Sequence, residues 1–276
     1  MLNLVDKTVE ALLLRRGFHT QRGKELITIK AAAEIEKMRA AGKIAVGALE
    51  VMRELIAPGI TTKALDKAAR TYIEKCGAKP SFLGYRNFPA STTISVNSQV
   101  IHGVPGSYRL TEGDIVSVDV GAFKDGYHGD VCRTFTVGKV NPAAQRLINV
   151  TRECFFEGLK FARAGGRLHD ISSAIQRHAE SAGYSVVREY IGHGVGRNLH
   201  EPPDVPNFKP KGRGPVLSPG MTFAVEPMVN AGGHEIRILD DGWTVVTQDG
   251  SLSAHYENTV LITQGGPELL TVVAED

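Results

Sequence analysis

Four acidic residues stand in segments that otherwise read as β-strands: Asp119 in Val118-Asp119-Val120, Asp130 beside Val131, Glu226 in Val225-Glu226-Pro227, and Glu257 just before Asn258-Thr259-Val260. A carboxylate removed from water is expensive unless something neutralises it. One such residue is ordinarily answered by a hydrogen-bonded ion pair. Four at related positions call for four cations, and Arg133 and Arg237 supply only two. Two divalent metal ions would balance the set. Ile191-Gly192-His193-Gly194-Val195-Gly196 adds a histidine between glycines, and His200 follows seven residues after His193. Glycine lets backbone come close to a ligand. Imidazole combined with carboxylates suits Mn, Fe, Co or Zn better than Mg or Ca. Four carboxylates, two divalent ions and a bridging hydroxide leave a net charge of about −1; such a pair, about 3.5–4 Å apart, acidifies a water and clamps the oxygens of a reacting carbonyl. Carbonyl hydrolysis is the reaction class that follows.

The elements that must position these groups form a repeat. A helix-forming segment from Thr28 to Leu55 stops at Ala57-Pro58-Gly59. A second helix restarts at Thr61, with Leu65, Ala69 and Ile73 on one face and Gly77 at its end. The same pattern returns 106 residues later as Gly165, Ile171, Ile175, Ala179 and Gly183. Helical periodicity alone is common; the matching glycine stops make this a repeat. Each pair of helices is followed by strands in which a carboxylate falls six residues after a glycine: Gly113 to Asp119, and Gly220 to Glu226. Asp130 and Glu257 then supply the second carboxylate of each half, and Gly121, Lys124-Asp125-Gly126 and Gly129 mark a turn between Asp119 and Asp130. Helices followed by strands, twice over, predict an α+β fold with a mainly antiparallel sheet. With no linker between the halves, one domain is expected, pseudo-twofold symmetric, with its site where the halves meet.

Composition narrows the class. The 276 residues are 42% hydrophobic, enough for a large core, and 32 basic against 30 acidic residues is no polyanion-binding signature. No run of 18 uncharged apolar residues reads as a transmembrane helix. Cys76, Cys132 and Cys154 are odd in number, widely spaced and without a C-x-x-C. That pattern gives neither a disulfide framework nor a cysteine zinc site and predicts a reducing cytosol, with the three as buried small hydrophobes. Residues 1–27 are read as a solvated N-terminal extension: the apolar run Ala11 to Leu14 is too short for a signal peptide, and the alternative reading is a docking arm using Arg15, Arg16, Arg22 and Lys24.

The order Asp119, Asp130, His193, Glu226, Glu257 resembles the five-ligand dinuclear site of the pita-bread metallopeptidases. The local strings are closest to methionine aminopeptidase type I. They are Phe82-Leu83-Gly84-Tyr85, Val100-Ile101-His102-Gly103-Val104-Pro105, Asp125-Gly126-Tyr127-His128-Gly129-Asp130, Gly192 to Arg197, Met221 to Met228, and Ser251 to Glu257. The resemblance runs from about Thr28 to Val272. It implies a pita-bread fold, a curved sheet flanked by two pairs of helices, with residues 28–276 as a single catalytic domain. It implies removal of the initiator methionine from nascent chains whose second residue is small, by a metal-bridged water or hydroxide. Asp119 would chelate one metal, Asp130 and Glu257 would bridge both, and His193 and Glu226 would complete the other. Co, Mn, Fe, Zn or Ni are the candidate ions. Glu226 would also shuttle the proton, His102 would contact the substrate near its N-terminus, and His200 would stabilise the developing charge on the carbonyl. A Na or K ion near Asn97 and Ser253, a monomeric state and a transient ribosome contact are further implications.

By position in the same resemblance, Tyr85, Phe88, Leu199 and Trp243 would line the methionine pocket, with Phe82 and Thr93 at its rim. A thioether packs well against such rings. Phe82 and Thr93 stand where relatives can carry cysteine, Phe88 where tyrosine and Leu199 where phenylalanine can occur. These departures bear on pocket size rather than on the reaction. His19, His169, His178 and His234 are expected at the surface or in local hydrogen bonds, and no ligand role is assigned to His128 or His255. Three rival readings are separable. A proline-specific sibling usually has a large extra N-terminal domain, a catalytically dead binding module would have lost ligands, and a metal-free hydrolase would not need four carboxylates.

Overall fold

The computed structural model describes residues 26–273. The docking residues proposed for the N-terminal arm, and His19, lie outside the described residues. Helix α1 (Ala32–Leu55) begins four residues later than expected. Its start is set at Ala31, whose N–H donates to Glu34 Oε2 at 2.9 Å, one of the amide donors a helix N-terminus leaves unpaired. Thr61 caps α2 (Thr62–Lys75) by accepting from Ala64 N–H. Asn141 caps α3 (Pro142–Leu159) in the same way, and Pro142 sits at the first helical position, where a missing N–H costs nothing. Helix α4 (Leu168–Ser181) repeats α2 at an offset of 106 at both ends. The glycine stops share a conformation as well: Gly59 and Gly165, and Gly77 and Gly183, all have positive φ.

Among the described residues, fifteen strands follow the repeat. In the first half these are β1 (Lys79–Pro80), β2 (Thr93–Val96), β3 (Gln99–Ile101), β4 (Ile115–Lys124) and β5 (Tyr127–Thr136). In the second they are β6 (Ser185–Val186), β7 (Gly192–Gly194), β8 (Glu201–Val205), β9 (Thr222–Val225), β10 (Met228–Asn230), β11 (Ile236–Ile238), β12 (Val245–Thr247), β13 (Ser253–His255), β14 (Glu257–Thr263) and β15 (Gly266–Leu269). The main sheet runs β1-β4-β5-β14-β9-β7-β8, with β2 on β4 and β15 on β14, and its pairings are antiparallel. The β4–β5 hairpin turns at Asp125 and Gly126, both at positive φ, as a tight two-residue hairpin requires.

Each half buries its own core against one side of this sheet. Helices α1 and α2 cover Val116, Val118, Val120 and Val131 with Ala45, Leu49, Met52, Leu65 and Ile73. Helices α3 and α4 cover Phe223, Val225, Val260 and Ile262 with Leu147, Phe155, Ile171 and Ile175. At one place helix meets sheet without side chains between them: a Cβ on Gly129 would lie 2.5 Å from the Cα and N of Gly42. The halves join at β5–β14, where Glu257 faces Cys132 and Asn258 faces Val131. Side chains reinforce the seam. Arg133 donates to the carbonyls of Cys132 and Glu257 and to Asn258 Oδ1, and the Thr259 hydroxyl donates to the Asp130 carbonyl while accepting its N–H. Cys132 and Cys154 are buried as expected, whereas Cys76, at the C-cap of α2, is only half-buried. Among the described residues, no helix is long and apolar enough to cross a membrane.

Candidate active site

Register brings the carboxylates to one face. Asp119 pairs with Cys132, and Cys132 pairs with Glu257 across the seam, so their side chains project the same way. Asp130, two residues from Cys132 on β5, shares that face. Glu226 directly follows β9, one residue beyond the Val225–Asn258 pair. His193 alternates with Gly194, which faces Phe223, and therefore turns away from the helix-covered core toward the acidic face. Ligand atoms of Asp130, His193 and Glu257 lie within 4.8 Å of one another. His193 Nε2 stands 3.5 Å from Glu226 Oε1, and Thr93 Oγ1 stands 3.5 Å from Asp119 Oδ2.

The charge problem anticipated from the sequence is present in full. Asp119 Oδ1, Asp130 Oδ1 and Glu257 Oε1 are buried with no hydrogen-bond partner among the described residues. Burial is the largest cause raising each acid. Asp119 and Glu257 are held well above the carboxylate range by burial and then by the charges of their neighbours. Glu226 is raised in the same way, by burial and then Asp130, and Asp130 is pushed up to about 7 by burial. The charge of Arg133 offsets part of the rise at Glu257. The hydrogen bonds given above take Arg133 to backbone and to Asn258, with its guanidinium 3.8 Å over the Tyr256 ring. Arg237 is exposed on β11. Buried, partnerless carboxylate oxygens beside an imidazole nitrogen fit divalent cations of the transition series.

His193 is prepared as a neutral donor. Its Nδ1 lies 3.0 Å from the Gly194 carbonyl, which only accepts, so the proton is on Nδ1 and the Nε2 lone pair faces the acids. Burial lowers its pKa to about 4. The flanking glycines serve a purpose other than ligand approach. A Cβ at Gly192 would lie 2.4 Å from the Ala224 carbonyl oxygen, and one at Gly194 would lie 2.3 Å from that of Pro202. They let β7 fit between β9 and β8.

A cleft of about 750 Å³ opens onto this face. Phe82, Tyr85, Phe88, Thr93, His102, Leu199, His200 and Trp243 all line it, so the structure brings the sequence-derived pocket residues together. Phe82, Phe88, Ala90 and Leu199 form a small buried apolar cluster backed by Tyr85, Val104 and Trp243. Phe88 meets Trp243 edge-on at 5.2 Å, Tyr85 stacks on His200 at 5.1 Å, and His200 lies 3.9 Å from the His193 ring. His102, at positive φ, sits edge-on to Tyr190 at 5.4 Å. Burial takes His102 down to about 4 and holds His200 well below the ordinary imidazole value, so both are neutral near pH 7.

Other placements add to the expectations. Asn97 and Ser253 meet, with Ser253 N–H donating to the Asn97 carbonyl at 2.9 Å. Their side chains are engaged elsewhere, Asn97 with Asp114 and Ile115 and Ser253 with Asn230. His178 binds Glu153, and His169 lies 3.3 Å from the Gly212 carbonyl, as local bonding predicts. His128 bonds Ser81. His234 stands 3.9 Å from Glu235. Arg86, Tyr190 and the Pro202-Pro203 pair also line the cleft and were not singled out from the sequence. Nor was Glu201, next to His200, anchored in a buried ion pair by Lys30 at 2.6 Å. Lys30 lies far away in the chain, and a lone glutamate beside a histidine gives no signal.

Fold and centre together are those of a metal-dependent hydrolase. The chain belongs to metallopeptidase family M24, whose sequence profile matches residues 36–264. It is 54% identical over 248 residues to a methionine aminopeptidase of Clostridium perfringens, covering 90% of this chain and 100% of that one. It superposes on the crystal structure of a Thermotoga maritima methionine aminopeptidase with a TM-score of 0.87 at 46% identity, over 89% of this chain and 99% of the other. A prolidase from Pyrococcus furiosus gives 0.73 at 26% identity, over 89% of this chain but 65% of that protein. These relatives share the pita-bread fold expected from the sequence.

Proposed function

We propose that this chain is a methionine aminopeptidase of the cytosol, removing the N-terminal methionine of nascent polypeptides whose second residue is small, with residues 28–276 as one catalytic domain. The observation that carries the reading is the adjacency of two features: buried carboxylate oxygens without partners at the seam, and a largely aromatic apolar cluster lining the cleft beside them. Its rings suit an unbranched thioether side chain.

Asp119, Asp130, His193, Glu226 and Glu257 would hold two divalent ions. The ions, when bound, supply Lewis acidity toward water and the scissile carbonyl. Glu226 takes the proton of the attacking water and delivers it to the leaving amine, a role suited to a carboxyl whose environment lifts its pKa. His200, neutral, donates a hydrogen bond to the carbonyl oxygen as negative charge develops there. His102 faces the substrate's N-terminal end. Tyr85, Phe88, Leu199 and Trp243 hold the methionine side chain. A monovalent cation near Asn97 and Ser253 would be held by backbone carbonyls, since both side chains are engaged. The active unit is a monomer that meets the ribosome transiently.

The test is release of methionine from Met-Ala-Ser and Met-Lys-Ser with Mn or Co added, and again with chelator. Cleavage of the alanine peptide alone, abolished by chelator, is the expected result. No cleavage of either peptide by folded, metal-loaded protein would refute the reading.

A further inference from the structure

A second imidazole faces Glu226. His255, at the end of β13, is 2% exposed, and its Nε2 lies 3.8 Å from Glu226 Oε2. His193 Nε2 is 3.5 Å from the other oxygen, Oε1, so the carboxylate sits between two histidines. The two rings are held differently. His193 Nε2 presents a lone pair. His255 Nε2 is buried with no hydrogen-bond partner among the described residues, a costly condition unless a nearby acceptor completes it. Its aim is fixed from the backbone. Thr134 Oγ1 donates to the His255 carbonyl at 2.8 Å and accepts the His255 N–H at 2.9 Å, and Met228 pairs with it across β10–β13. The carboxylate's own main chain is pinned by Asn207 Nδ2, which donates to the Glu226 carbonyl at 3.0 Å. Only the Glu226 side chain is left to orient.

We propose that His255 is a positioning residue for Glu226: its Nε2–H donates to Oε2 and turns Oε1 toward the metal-facing side. This rests on the reading of Glu226 as a metal ligand. A carboxylate rotation of about 0.8 Å closes the gap to ordinary hydrogen-bond length. A second group that orients a ligand commonly contributes 10–100-fold in metal affinity.

The experiment compares wild type with His255→Gln, His255→Asn and His255→Leu. Chelator-stripped protein is titrated with Mn by calorimetry, and kcat and KM are measured on Met-Ala-Ser. Glutamine carries an N–H to the same distance, asparagine falls short and leucine has none. The expected result is Mn affinity within about threefold of wild type for His255→Gln, and about 10–100-fold weaker binding of one ion for the other two, with kcat falling and KM held. Equal losses in the glutamine and leucine variants, or wild-type affinity in the leucine variant, would overturn the assignment. Should His255→Leu unfold, the glutamine–asparagine comparison decides, both being polar. Wild-type protein that binds Mn but releases no methionine would refute the peptidase reading and leave the titration to judge His255 separately.

Discussion

Gly129→Ala tests how closely the metal ligands depend on bare backbone contact. Gly129 immediately precedes Asp130 on β5, and α1 crosses behind it at Gly42. The added methyl would lie 2.5 Å from Gly42 Cα and N and 2.9 Å from the Ala41 carbonyl carbon. No long side chain can swing aside, because the opposing atoms are helix backbone, and Gly42 is confined on its other side by the Leu270 carbonyl oxygen. Relief therefore requires α1 to retreat, loosening the packing of Met38, Ala45 and Leu49. Overpacking of this kind costs about 1–3 kcal/mol, and rigid backbone places this case at the upper end, about 2–3 kcal/mol. For a chain of this size that lowers Tm by about 4–12 °C. Gly265→Ala is the control, since its Cβ would meet only Thr263 Oγ1, at 3.8 Å; it should stay within about 0.5 kcal/mol of wild type. Thermal unfolding of both variants, stripped of metal, reads the packing term, and Mn titration reads the displacement of Asp130. A Gly129→Ala protein melting within about 1 °C of wild type would refute the argument that this contact sets the helix position.

Glu226→Ala and Asp130→Ala should each abolish methionine release. Because each removes one of several mutually repelling acids, their metal-free Tm should equal or exceed that of wild type while the rise in Tm on adding Mn is lost; a metal-free collapse of both would contradict this. His200→Ala should lower kcat by about 10²–10³, about 2.7–4 kcal/mol of barrier, with metal content unchanged by elemental analysis; an unchanged kcat would remove His200 from the mechanism. The metal-free protein should be most stable near pH 6.5. Below that, His102, His128, His193, His200 and His255 have folded pKa values lowered from 6.5, chiefly by burial, so the unfolded chain binds more protons and stability is lost as pH falls. The carboxylates act oppositely: their raised folded values favour the fold below their unfolded pKa, and that advantage is lost as pH rises through the folded values, about 7 for Asp130. They partly offset the histidines at lower pH and act alone above 6.5. Melting curves of chelator-treated protein from pH 5 to 8.5 check this, and a Tm still climbing at pH 8 would refute it.

Much of this was legible before any coordinates, for local reasons. The four-residue steps of α2 and α4 and their glycine stops are short-range signals, and both helices end where those stops put them. Asp119, Asp130, Glu226 and Glu257 stand out because a charge inside an apolar strand breaks a pattern visible within a few residues. Contacts made by long-range register gave no such signal. His255 approaches Glu226 only because β13 pairs with β10, and Arg133 crosses to Glu257 only because β5 pairs with β14. The glycines around His193 were visible, but their reason was not: strand backbones from Ala224 and Pro202 press on them.

The seam between β5 and β14 makes the centre a two-key lock. Asp119 and Asp130 come from the first half, and His193, Glu226 and Glu257 from the second. Neither half holds the full set, although each has a core of its own. A chain with one half formed and the other still loose carries at most a fragment of the coordinating set. Hydrolytic competence on this reading thus depends on the β5–β14 pairing that joins the halves, and a substitution that loosens the seam would disarm the centre while leaving each core intact.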